Sequence, residues 1–361
     1  MKSLLLLALL AAFAPLAVAA PAAAPLMWNR NLLRQPPEWF ASAAGRAAVD
    51  QVLRFQSTAG GWPKNVDLLA PIDDAALAEI QRGGKANTFD NQGTTLPLRF
   101  IAVAAAATDD ARCRIAVARG LDYILASQYS NGGFPQFFPL RQGYYSRITY
   151  NDGAMVNVLE LLRDVAAAKP PFAFVDAARR DRAAAAVARG IDCILRTQIR
   201  EHGRLTAWCA QHDEHTLAPA WARAYEPPSL SGAESVGLVR FLMAVEKPSP
   251  EIVAAIEGAV AWFRAVPIAG RRVKSVPKPG GKPDAVLVAD PAAPPLWARF
   301  YELGTHRPLY MDRDSKPLYD FSLVSYERRS GYGYHTTSPA DLLQRDYPAW
   351  RTRLASVSPR Q

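Results

Sequence analysis

The chain has 361 residues, half of them apolar, with 42 lysines and arginines against 33 aspartates and glutamates, a formal net charge of +9. That length supports a large core, and three widely spaced cysteines (Cys113, Cys193 and Cys209) exclude a disulfide scaffold or a zinc pattern. No arginine-rich run, zinc-finger spacing or RNA-binding signature points to nucleic acid; the positive surplus suits another acidic partner or serves solubility alone.

The first residues read as a secretory signal peptide. A charged start, Met1-Lys2-Ser3, leads into an apolar run from Leu4 through Leu10 to Phe13, and Ala17-Val18-Ala19 supplies small residues at cleavage-site spacing. Residues 1–20 are therefore assigned to the signal and residues 21–361 to one domain. No later stretch is apolar enough to span a bilayer, so a secreted or periplasmic product with no membrane contact is expected.

A repeat organises the mature chain. Residues 47–65 read AAVDQVLRFQSTAGGWPKN, residues 118–138 ARGLDYILASQYSNGGFPQFF and residues 188–209 ARGIDCILRTQIREHGRLTAWC. Each is an apolar helix, then glutamine, a glycine-containing turn and an aromatic. Gln56, Gln128 and Gln198 fall 72 and 70 residues apart, room for two helices per unit. The alanine-rich stretches at 100–107 and 183–188 have helical composition. Met155, Val158, Leu159, Leu162 and Val165 keep one helical face apolar behind Asn151-Asp152. Ser231-Gly232-Ala233-Glu234 reads as a capping box, and Ser249-Pro250-Glu251 as a cap followed by proline at the first helical position. Residues 271–295, rich in proline and glycine, read as loop or short strand. Repeated helix pairs close into a mostly α, α/α toroid (an incomplete α/α barrel), with short strands and long loops forming an open groove suited to a polymer.

Several segments carry more polar and aromatic detail than a helical core needs: GGWPKN at 60–65, TFDN at 88–91, NGGFPQF at 131–137, ITYND at 148–152, TAWCAQHD at 206–213, PAWARAYE at 219–226, LWARFY at 296–301 and YMDRD at 310–314. Together, and in this order from about residue 47 to 346, they resemble the family 10 polysaccharide lyases, the pectate lyases of that family. Two places depart from the family pattern. Ser315 follows Arg313-Asp314 where the family has glycine, and the run Arg328-Arg329-Ser330-Gly331-Tyr332-Gly333-Tyr334 ends differently.

The resemblance implies β-elimination on α-1,4-linked polygalacturonate, with Ca²⁺ as cofactor, 4,5-unsaturated oligogalacturonides as products, and a monomer as the working form. It places calcium ligands at Asp90 and Asp152, with Asn91 among the substrate contacts. It makes Arg223 the proton-abstracting base and Arg313, or Arg299 as the fallback, the arginine that holds a uronate carboxylate. The chemistry demands such groups. The C5 proton is only weakly acidic beside a negative carboxylate, so that carboxylate must be neutralised, a base supplied and the developing dianion stabilised. Calcium prefers hard carboxylate oxygens, and arginine grips a carboxylate through two parallel bonds. Lys64 and the aromatics Trp62 and Tyr225 are expected to line the groove, with Phe134 packing the repeat. On the residues alone, Asp90 and Asp152 equally suit helix caps, and Arg223 an ordinary salt bridge to Glu226. Two rival readings stay open: a glycoside hydrolase using Asp90 and Asp152 as acid and base, and a non-catalytic protein that binds acidic polysaccharide. His212 is read as structural. Cys193 and Cys209 could pair, or all three cysteines remain buried thiols.

Overall fold

A computed structural model describes residues 26–83 and 85–357; the signal-peptide assignment at 1–20 lies outside them. The described helices are α1 (Pro37–Ala41), α2 (Ala43–Arg54), α3 (Asp74–Arg82), α4 (Thr95–Thr108), α5 (Ala111–Ala126), α6 (Ala154–Ala166), α7 (Ala177–Thr197), α8 (Glu234–Met243), α9 (Pro250–Ala265), α10 (Tyr326–Gly331), α11 (Ser338–Asp341) and α12 (Tyr347–Val357). No described helix is long and apolar enough to cross a membrane.

Packing follows the expected toroid. Helices α4 and α5, α6 and α7, and α8 and α9 pack as neighbouring pairs. The first members pack on one another along α4, α6, α8 and the second along α5, α7, α9, while α2, which precedes Gln56 as α5 precedes Gln128, packs on α4. The apolar face foreseen in α6 is fully enclosed: Met155, Val158, Leu159, Leu162 and Val165 are all buried. At roughly 2 kcal/mol for each such side chain removed from water, burial of this kind, more than helix propensity, fixes the series. Ser249 caps α9 from the Ile252 N–H with Pro250 in the first turn, as its sequence indicates. The three cysteines are buried free thiols, so Cys193 and Cys209 form no bridge.

The repeated glutamines do one job three times. The Gln56 side-chain amide donates to the Gly60 carbonyl (3.0 Å) and, across the unit boundary, to Ala116 of α5 (2.9 Å). Gln128 does the same with Gly132 and with Ala186 of α7, and Gln198 with Thr206 and with Ala255 of α9. The residue after each glutamine then closes the turn through its backbone N–H: Ser57 to Gly61, Tyr129 to Gly133, Ile199 to Ala207. A buried aromatic follows. The Trp62 indole donates to Val52 (2.9 Å) and the Trp208 indole to Ile194 (2.7 Å).

A fourth unit carries the same geometry without the glutamine. Ile268 N–H closes on the Leu296 carbonyl (2.7 Å), and the Trp297 indole donates to Phe263 (2.9 Å). Pro267 stands where the other units have glutamine, so glutamine spacing could not reveal it. The closed turns enclose residues 58–60, 130–132, 200–206 and 269–295. The last holds the longest described strands, an antiparallel hairpin of Arg271–Val276 with Asp284–Ala289. Elsewhere the described strands are two-residue pairings. A satellite apolar cluster of Tyr225, Phe300, Tyr310, Met311, Phe321 and Tyr334 supports the C-terminal loops.

Candidate active site

The acidic residues come from the turn that leads into the inner helix of each unit. A backbone bond fixes where the turn starts: Thr88 N–H to Trp62, Thr149 N–H to Phe134, Ser231 N–H to Trp208. Three residues on stand Asn91, Asp152 and Glu234. Asn91 and Asp152 both take the left-handed backbone conformation (φ 49° and 51°), which asparagine and aspartate tolerate better than most residues. The two Asp/Asn doublets are thus the same turn with its residues exchanged, and the turns pack against each other. Neither carboxylate caps its helix: α4 and α6 show no side-chain cap bond.

Asp90 is 4% exposed. Lys64 pairs with its Oδ2, while its Oδ1 is buried with no hydrogen-bond partner. Asp152 is exposed; its Oδ2 accepts from the Asn151 amide (2.7 Å) and its Oδ1 from Arg299 Nη2 (3.1 Å). Lys64 and Arg299 correspond as well, each two residues after a buried tryptophan. Arg299 also reaches Asn151 (3.0 Å) and the buried carboxylate of Glu234. Burial works against the charge on Arg299, but Glu234, Tyr332 and Asp152 together outweigh it, and the guanidinium is held above its ordinary pKa. The expected capping box is only half formed: α8 begins at Glu234 with no side-chain cap, the Glu234 N–H donates to the Ser231 hydroxyl, and the Glu234 carboxylate accepts from that hydroxyl on one oxygen and holds Arg299 with the other.

Four guanidinium groups converge on two tyrosines. The Arg223, Arg328 and Arg313 carbons lie 5.0, 4.4 and 5.7 Å from the Tyr225 ring centre. Those of Arg299 and Arg223 lie 4.9 and 5.6 Å from that of Tyr332. Glu226, 5% exposed, accepts from Arg223 Nε (2.7 Å) and Nη2 and from the Tyr332 hydroxyl (2.8 Å). An unbroken line of contacts therefore runs from Asp152 through Arg299, Tyr332 and Glu226 to Arg223. Burial lowers the Arg223 pKa, but the bond and charge of Glu226 offset this and set the net direction upward. Arg313 is exposed and paired only with Glu327 (3.0 Å), so it is free to turn toward a ligand; Arg299 is committed to Asp152 and Glu234.

The family model for pectic acid lyase matches residues 56–343. The structure aligns with a family 10 polysaccharide lyase from Cellvibrio cellulosa at a TM-score of 0.75 and 33% identity, over 89% of this chain and 94% of that one. The chain belongs to polysaccharide lyase family 10. An aspartate-to-alanine variant of the family 10 lyase from the same organism, in complex with trigalacturonic acid, aligns at 0.73 and 32% identity, over 90% and 99% of the two chains. No curated protein matches the sequence.

Two groove assignments need correction in this lyase. Trp62 is fully buried and cannot touch a substrate. A tryptophan after a Gly-Gly turn suggests a sugar platform, yet here the ring is wedged where Gly120 leaves room beside Leu98. Tyr225 is 5% exposed and lies under guanidinium groups instead of offering a stacking face. Trp221, 45% exposed and two residues before Arg223, has the open face those two lack. Phe134 packs inside, as expected, and Asn91 is exposed with its amide donating to Asn65 (3.1 Å). His212 is buried and structural, its two nitrogens engaged by Leu217 and Cys209. The residues not foreseen are Glu234, read only as a cap, and Arg328, whose basic run gave no hint that it turns inward.

A calcium ion fits this lyase only in part. No group of three acidic, histidine or cysteine side chains suited to a metal occurs among the described residues. Asp90 with its unpartnered buried oxygen, exposed Asp152 and the Asn91 amide are hard oxygen donors on adjoining turns. Calcium takes six to eight oxygens, so substrate carboxylate and water would have to supply the rest.

Proposed function

We propose that the chain is an exported, calcium-dependent pectate lyase that cleaves α-1,4-linked polygalacturonate by β-elimination and leaves 4,5-unsaturated oligogalacturonides. The observation that carries this reading is the contact line from Asp152 to Arg223. It sets an acidic, oxygen-rich pair of turns beside a cluster of guanidinium groups, the two environments a uronate substrate requires. The related lyase solved with trigalacturonic acid supports the same substrate class.

In this reading Asp90, Asp152 and Asn91 would hold calcium, which would neutralise a substrate carboxylate and so acidify the C5 proton. Arg313, exposed at the edge of the cluster, grips a neighbouring uronate through paired N–H donors, while Arg328, buried and engaged by Glu327, adds positive charge from beneath. Arg223, in its neutral form, takes the C5 proton on Nη1, the nitrogen that Glu226 leaves unengaged. The C5–H electron pair becomes the C4–C5 double bond, and O4 leaves with its bonding pair and is protonated by water. Glu226 favours the charged form of Arg223, so high pH is required for activity. A hydrolase would need Asp90 or Asp152 to donate a proton, and each is instead engaged by a cation, Lys64 or Arg299.

The test is ultraviolet absorbance of polygalacturonate at alkaline pH, with calcium and then with a chelator. A rise abolished by the chelator supports the lyase. New reducing ends without absorbance would replace it with the hydrolase, and neither change would leave a binding protein.

A further inference from the structure

The insertion in the fourth unit is a built cationic surface. From residue 271 to 283 the hairpin carries Arg271, Arg272, Lys274, Lys278 and Lys282 and no acidic residue, and all five cations are exposed. Arg272 is neutralised by Asp290 (2.8 Å). Lys274, Lys278 and Lys282 form no ion pair among the described residues, unlike the arginines at the site; Asp284, whose charge Lys278 feels, is already clamped by Arg329. The tip is also held in place. The Tyr326 hydroxyl donates to the Lys282 carbonyl (2.7 Å), and the Lys278 ammonium sits 3.3 Å from the Tyr326 ring centre. Arg329 clamps Asp284 at the strand start (3.0 and 2.7 Å). Tyr326 and Arg329 belong to α10, whose Glu327 binds Arg313 and whose Arg328 lies on Tyr225. One short helix therefore has the hairpin tip on one side and the arginine cluster on the other.

We propose that the hairpin tip is an accessory platform for the acidic polysaccharide, with Lys278 and Lys282 contacting uronates of the chain beyond those held by the arginines. The inference rests on the polygalacturonate reading of the site. A polymer leaving the cluster across α10 meets exposed ammonium groups on a tip whose backbone is held in place, and these gain from a polyanion what they lack within the protein. Point charges on flexible stems suit a distant uronate, because they add attraction without demanding register.

The test compares Lys278→Gln/Lys282→Gln with Lys278→Arg/Lys282→Arg in the mature protein. Binding is read by affinity electrophoresis in gels containing polygalacturonate, and turnover by initial rates on the polymer and on trigalacturonate. The glutamine variant should be retarded less and should raise the polymer KM at low ionic strength by roughly threefold or more. Its trimer KM should rise less, and the arginine variant should restore wild-type behaviour. Unchanged retardation and polymer KM overturn the proposal, as does an equal rise for trimer and polymer. Equal loss of retardation in dextran sulfate gels also overturns it, because the tip would then be a general polyanion surface. If the wild-type protein yields no unsaturated product, the lyase reading fails by itself, while the retardation arm still decides the platform.

Discussion

Glu226 grips Arg223 on two of its three guanidinium nitrogens and is itself held by the Tyr332 hydroxyl. This pairing raises the proton affinity of the group proposed to accept the C5 proton. Replacing Glu226 with glutamine removes the charge and keeps most of the shape. The Arg223 pKa should then fall, so the alkaline rise in kcat should move to lower pH by about one unit. A loss of kcat with an unmoved pH profile would mean that Glu226 only props the loop.

The two aspartates should respond differently to amidation. Asp152→Asn leaves Arg299 its Glu234 partner, so stability should hold while kcat/KM falls about a hundredfold. Asp90→Asn removes the carboxylate from a mostly buried Lys64 and should cost about 1–3 kcal/mol as well as activity. Calcium titrations of kcat/KM and urea unfolding together separate the effects. Equal destabilisation by both changes would contradict the assignment.

Ser315 sits at φ 60°, in the left-handed region where a side chain is strained. This is the place where the family pattern has glycine. Ser315→Gly should raise unfolding free energy by about 0.5–1 kcal/mol, the relief of strain exceeding the added chain entropy. Ser330→Gly, inside α10, should lower it by a similar amount. A urea midpoint that falls for both would show that the turn tolerates serine without strain.

Buried His212 has its pKa pushed down to about 4 by loss of solvent. The unfolded chain binds this proton at the ordinary pKa of 6.5, so between these values the unfolded state holds more protons and stability rises with pH. The contribution is complete above about pH 6.5 and erodes as pH falls to about 4, by about 3 kcal/mol in all. His335 is depressed to about 4 in the same way, so the fall in unfolding free energy between about pH 7 and about pH 4.5 is compared between wild type and His212→Asn. An equal fall in both would place a proton on His212 in the folded state.

The repeat was legible because one glutamine amide must reach both its own turn and the next helix, which fixes residue type and spacing together. The fourth unit was hidden because Pro267 cannot make those bonds. The acidic doublets were legible as chemistry, but their equivalence was not, because it lies in a backbone angle shared by Asn91 and Asp152. Trp62 misled because burial depends on Gly120 in a different helix, and nothing near Trp62 in the sequence reports that. The hairpin could be read only as loop or short strand because strand alternation arises from one buried face, and Arg271–Val276 is exposed throughout.

The missing glutamine also marks where this architecture can grow. In the first three units an amide clasps the turn to the following helix, and any longer loop there must return a carbonyl to that amide, as Thr206 does in the third. At Pro267 there is no clasp to break, and only the Ile268–Leu296 bridge defines the loop's base. Evolution could vary the segment between them without touching the ring, and a protein engineer can do the same. A graft of different charge or length there would retune which polymers the enzyme engages while the catalytic residues keep their scaffold.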